Sequence, residues 1–264
     1  MLPFSLTFLT IAAAFAIPTI VSLTLVKGAA RLVSPRYIAA FALGIYFWFF
    51  SDTLGDSAYL GINPGFAGGP AQVLLVLLFL GGCVFTLGID RNSSRLRGDG
   101  DAPNFGVPIL IALAVGIHGL GEGAAFSTIA ASTPAQDFLS AFGGLTPAIA
   151  FVLHKALEPV LVGAAYVAYA IGHGKGRSGF VKDLGVLSLV FILPGLIGAG
   201  TGYYLSYDTT YVFALGLGTS FYAPVMMAKV LFVRQEPSRW DSVKVATAIA
   251  LGLLSLYFAA LLHS

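Results

Sequence analysis

Charged residues along this chain fall in clusters, separated by long runs that carry no charge. Residues 1–26 contain none, nor do 57–89, 184–207 and 209–228. A helix that crosses a bilayer needs about 20 mostly apolar residues. On that measure the pattern predicts eight spans, at 3–26, 37–58, 70–89, 105–130, 145–171, 183–205, 210–232 and 241–262. They leave little chain outside, so the expected architecture is an all-α polytopic membrane protein. A single transmembrane domain would occupy 1–264, with no separate soluble domain. The first span does not read as a cleavable signal peptide, because Met1 to Ser5 carries no Lys or Arg and the apolar run is too long.

Composition agrees with this reading. The chain is 57% hydrophobic and 10% charged, against roughly 25% charged in a soluble domain. That excludes an ordinary soluble enzyme and an intrinsically disordered chain. The net charge of +2 gives no global field for nucleic acid. Cys83 is the one cysteine, so neither an intrachain disulfide nor a thiolate metal cluster can form. The basic residues are strongly asymmetric. Lys27, Arg31 and Arg36 follow span 1, and Arg91, Arg95 and Arg97 follow span 3. Lys175, Arg177 and Lys182 follow span 5, and Arg234, Arg239 and Lys244 follow span 7. With eight spans these all fall on one side, while the opposite loops hold Asp137 and Asp208 and no Lys or Arg. Basic loops favour the cytoplasm. The expected arrangement is therefore a multi-pass plasma-membrane protein with both termini extracellular or periplasmic. The 61–70 loop is rich in Gly and Pro. The 90–104 segment is the most polar; its Asp99-Gly-Asp101 could touch a cation, but a solvated loop is the simpler reading.

Against this background, several ionisable residues stand at membrane depth, where each costs at least about 2.5–3.5 kcal/mol near a helix centre. They are Asp52 and Asp56 in span 2, His118 and Glu122 in span 4, and His154, Lys155 and Glu158 in span 5. Lys229, near the inner end of span 7, can snorkel to the interface. Asp52/Asp56, His118/Glu122 and His154/Glu158 are each four residues apart, which stacks both side chains on one helix face. The same His-x-x-x-Glu thus occurs near the middle of two consecutive antiparallel spans. Two imidazoles and two carboxylates form a donor set suited to Zn²⁺, Fe²⁺ or Mn²⁺. One such motif alone could be an i,i+4 pair worth a few tenths of a kcal/mol, or an interhelical hydrogen bond. Two at matched depth favour a shared ion. Asp52 and Asp56 lie toward the outer end of span 2, where an outward vestibule suits them as well as ligation does. Lys155 could serve as counter-ion for Glu122 or Glu158 with or without metal. Gly119, Gly121 and Gly123 thin span 4 for close neighbours, and Pro159 frees a backbone carbonyl near Glu158.

The chain resembles the ZIP (Zrt/Irt-like) family of divalent-metal transporters. The resemblance is carried by eight spans with outside termini, and by His118-Gly-Leu-Gly-Glu122-Gly123 followed by His154-Lys-Ala-Leu-Glu158. Asp52-Thr-Leu-Gly-Asp56 stands where the family often has His-x-x-Pro-Glu. Pro194-Gly195 with its following glycines looks like the family's span 6, and Gly218 and Tyr222 look like its span 7 positions. The departures are specific. Gly119 and Gly121 replace the Asn and Pro of His-Asn-x-Pro-Glu-Gly. Lys155 stands where a second-metal carboxylate is common, though some members have Lys. Span 6 has no carboxylate beyond Asp183 at its very start, and the span 3–4 loop lacks the histidine-rich sensing segment. These weigh against a two-metal centre and leave His118, Glu122, His154 and Glu158 as the primary site, with Lys155 standing in for a second cation.

The resemblance implies an inverted repeat of spans 1–3 and 6–8 around spans 4 and 5. It also implies alternating access and uptake of Zn²⁺ or Fe²⁺, with Asp52 and Asp56 handing ions to the site. The metal would be cargo and not a resident cofactor, and the chain not an enzyme. Its partners would be the divalent ion and the lipid bilayer, with a homodimer left open. An intramembrane metal-dependent hydrolase could use the same His and Glu ligands with water at an open position. A purely structural or receptor-like bundle would pair its buried charges with one another.

Overall fold

A computed structural model describes residues 2–62, 70–95, 104–132, 139, 142–173, 177–205, 207–232 and 239–261. The 99–101 acidic pair and Asp137 lie outside the described residues. Within them the protein is an all-α polytopic membrane protein with ten helices and no strand. A bilayer offers the backbone no hydrogen-bond partners, so a spanning segment must bond within itself, and helices are the result. The helices are α1 (Phe4–Ala29), α2 (Pro35–Ile62), α3 (Pro70–Arg95), α4 (Gly106–Ser132), α5 (Leu145–Leu157), α6 (Pro159–Gly172), α7 (Arg177–Leu205), α8 (Thr210–Ser220), α9 (Tyr222–Phe232) and α10 (Arg239–Ala260).

Eight segments are long and apolar enough to cross a membrane, and they coincide with the eight expected spans. Two are interrupted. Span 5 is α5 and α6, parted at Glu158, because Pro159 has no N–H for the carbonyl of Lys155 one turn back. Span 7 is α8 and α9, parted at Phe221, three residues before Pro224. The first break was legible from Pro159; the second was read as continuous helix.

Neighbour relations follow a two-fold pattern. Span 4 (α4) packs most extensively on span 6 (α7), span 2 (α2) on span 8 (α10), and span 3 (α3) on the first half of span 7 (α8), while span 1 (α1) contacts both halves of span 5. Exchanging spans 1, 2, 3 and 4 for 6, 7, 8 and 5 turns the 2–8 pair into 7–3 and the 4–6 pair into 5–1. All four pairs are present, as an inverted repeat of spans 1–3 and 6–8 requires. Spans 1 and 6, which this exchange relates, each carry an internal proline, Pro18 and Pro194.

Glycine sets the closest approaches. A Cβ on Gly198 or Gly202 of α7 would collide with the carbonyl oxygens of Leu120 and Ala124 of α4, and one on Gly123 would collide with that of Gly195. Gly44 and Gly252 do the same between α2 and α10, and Gly218 does so for α8 against Phe79 of α3. Gly200, by contrast, faces open space. Tyrosine–aspartate ties join spans on the basic side of the molecule. Tyr37 Oη donates to Asp241 (2.6 Å), which also pairs with Arg36. Tyr222 Oη donates to Asp90 (2.9 Å) and Tyr166 Oη to Asp183 (3.2 Å).

Candidate metal centre

The break at Glu158 lies beside α4 at mid-span, and there the two His-x-x-x-Glu pairs meet. His118, Glu122, His154 and Glu158 each offer one ligand atom, and these atoms all lie within 4.8 Å of one another. Zn–N and Zn–O bonds of about 2.0–2.2 Å put tetrahedral ligand atoms roughly 3.4 Å apart. A bound ion would therefore have to draw the widest pair together by up to about 1.4 Å. His118 Nε2 lies 3.6 Å from Glu122 Oε1, and His154 Nε2 lies 2.9 Å from Glu158 Oε1. The His154 contact is close but not aligned as a hydrogen bond, so this nitrogen is a buried polar atom without a hydrogen-bond partner. An ion accepting its lone pair would supply one. His118, His154 and Glu158 are buried, and Glu122 is nearly so.

Lys155 occupies the same place. Its side chain has no solvent exposure, and its ammonium donates to Glu158 Oε1 (2.7 Å) and Oε2 (2.8 Å) while pairing with Glu122 Oε2. It does not reach away to an interface. The ring centroids of Phe15 and Phe151 lie 5.0 and 5.9 Å from its nitrogen, close enough for cation–π attraction. The ammonium thus bridges both carboxylates on one flank. Glu122 Oε1 is left turned toward His118, and two carboxylates share one fixed positive charge.

His118 is held from three sides. Phe49 meets it edge-on at 4.6 Å, Phe213 lies at 5.1 Å, and Thr53 Oγ1 approaches Nδ1 at 3.5 Å. With Nδ1–H donating to Thr53, the ring keeps its Nε2 lone pair on the side of Glu122, where an ion would sit. The three glycines of span 4 admit three different neighbours. A Cβ on Gly119 would come 2.9 Å from Cε1 of Phe15, and one on Gly121 would come 2.6 Å from Cε1 of Phe213, while Gly123 meets the Gly195 backbone. Phenyl rings therefore fill the room that a larger residue at 119 or 121 would take.

Among the described residues, the remaining sequence candidate for metal, Asp52, is not part of this cluster. It is exposed on α2, although its neighbour Thr53 is buried and touches the site. Asp56 belongs to α2, but its side chain lies outside the described residues, as does that of Lys229. Sequence reasoning missed Thr53, Phe15, Phe49, Phe151 and Phe213. The chain has 21 phenylalanines, and nothing in spacing marks these four. The signal that existed was indirect: glycines at 119 and 121 require something to fill the gap. No protein-family model matches the chain, and comparison with curated proteins finds no match.

Proposed function

We infer that the protein carries divalent transition-metal ions, Zn²⁺ or Fe²⁺, inward across the plasma membrane by alternating access. The basic loops would be cytoplasmic, following the positive-inside rule. One observation carries the reading: two imidazoles and two carboxylates from spans 4 and 5 converge within 4.8 Å at mid-span. Donors so placed among apolar helices favour an ion in transit over a surface-bound one. The ZIP resemblance supports the same conclusion, and so does the two-fold relation of spans 1–3 and 6–8. In this reading His118 and His154 bind as neutral imidazoles and Glu122 and Glu158 as carboxylates. Asp52 and Asp56 stand nearer the outer water and attract the ion.

The test is element-resolved metal analysis of the purified protein, together with radiolabelled Zn²⁺ and Fe²⁺ uptake into proteoliposomes. Wild type is expected to retain and transport metal. Alanine at His118, Glu122, His154 or Glu158 is expected to lower uptake by about tenfold or more while the protein stays folded, because one lost ligand leaves an incomplete shell around a desolvated ion. Unchanged uptake with two of the four replaced would refute the site. Hydrolysis of lipid or peptide without ion flux would favour the intramembrane hydrolase instead.

A further inference from the structure

Lys155 is the one group in the metal cluster that metal binding does not need. Its ammonium is buried, bonded to both oxygens of Glu158 and paired with Glu122 Oε2, with Phe15 and Phe151 beside it. On the carrier reading, which this inference presupposes, the site must change sides twice in each cycle, once loaded and once empty. We propose that Lys155 is a tethered counter-ion that lets the empty site return, so that the protein runs net uptake as a uniporter without a coupling ion.

The argument is one of charge. The cost of holding net charge in a low-dielectric interior rises with its square. Without the lysine, two carboxylates and two neutral imidazoles are doubly negative when empty and neutral when a divalent ion is bound. The loaded site would move freely and the empty one would be trapped, which is the condition of an obligatory exchanger. With the ammonium in place the empty site carries one net negative charge and the loaded site one net positive charge. The two states then differ in sign but not in magnitude, and neither step is penalised over the other.

Geometry allows both states. The ammonium engages both oxygens of Glu158 and Oε2 of Glu122, while Glu122 Oε1 lies 3.6 Å from His118 Nε2. An ionised carboxylate offers about four lone-pair sites, so the lysine need not leave when the ion arrives. Nor can it readily leave, since its side chain is fully buried.

The experiment compares two flux modes in proteoliposomes at equal pH inside and out, with proton and potassium ionophores present. One mode is radiolabelled Zn²⁺ uptake into a zinc-free lumen; the other is uptake into a lumen preloaded with unlabelled Zn²⁺. Wild type is expected to show both at rates within about threefold of each other. Lys155→Met is expected to keep exchange and to lose net uptake by about tenfold or more relative to it. Lys155→Arg, which keeps the charge, is expected to retain net uptake. Wild-type uptake that requires luminal zinc or a proton gradient would overturn the proposal, as would a folded Lys155→Met with both modes intact or both lost alike. Should Lys155→Met fail to fold, the wild-type ratio and Lys155→Arg decide. Flux of neither Zn²⁺ nor Fe²⁺ in either mode by wild type would overturn the carrier reading itself, and this proposal with it.

Discussion

At the scale of single residues, a hydroxyl that is not itself a candidate ligand faces the ring of His118. Thr53 Oγ1 faces Nδ1 while Phe49 and Phe213 fix the plane of the ring. Thr53→Val keeps the shape and removes the acceptor, so the ring loses its preference for a free Nε2. Groups in this supporting position are commonly worth 10–100-fold in metal affinity. Equilibrium Zn²⁺ binding to Thr53→Val is expected to weaken by at least about tenfold with stability little changed; wild-type affinity would show that Thr53 does not orient the imidazole. The four donors were legible from spacing, because an i,i+4 relation puts two side chains on one helix face regardless of the rest of the fold. Thr53 and the four phenylalanines were not. Their contacts join residues far apart in sequence, and an aromatic residue in a membrane span has many reasons to be there.

Helices pose a different question, that of how near two backbones can come. The eight spans were legible because uncharged runs of sufficient length leave the backbone few alternatives in a bilayer. Which glycines matter was not. Gly123, Gly198 and Gly200 look alike in sequence, yet Gly123 and Gly198 each press on a carbonyl of the neighbouring span and Gly200 faces open space. Gly198→Ala would force α4 and α7 apart at their closest approach. Overpacking of this kind costs typically about 1–3 kcal/mol, and more where backbone must move. Gly200→Ala should be neutral or stabilising by up to about 1 kcal/mol, since alanine is the better helix former. Thermal unfolding in detergent is expected to separate the two variants clearly. Equal midpoints would mean that spans 4 and 6 are not in backbone contact.

Over the whole molecule, the site is assembled from four spans: the candidate ligands stand on spans 4 and 5, whereas Thr53, Phe49 and Phe213, which pack around His118, stand on spans 2 and 7. A relative shift of these spans would change what the ion sees. The buried ammonium of Lys155 also has an electrical consequence. In a cell that is negative inside, a loaded site of net charge plus one is drawn inward, and an empty site of net charge minus one is driven back outward. The membrane voltage then pushes both halves of the cycle, by up to about 2.3 kcal/mol per 100 mV for a charge crossing the full field. Remove the ammonium and the loaded site is neutral, so voltage can act only on the return. Tracer Zn²⁺ exchange, which uses the loaded step in both directions, is accordingly expected to change rate with imposed voltage in wild-type vesicles, because the two directions respond oppositely, and to ignore the same voltage in Lys155→Met. Exchange equally voltage-sensitive in both would mean that the lysine does not travel with the ion.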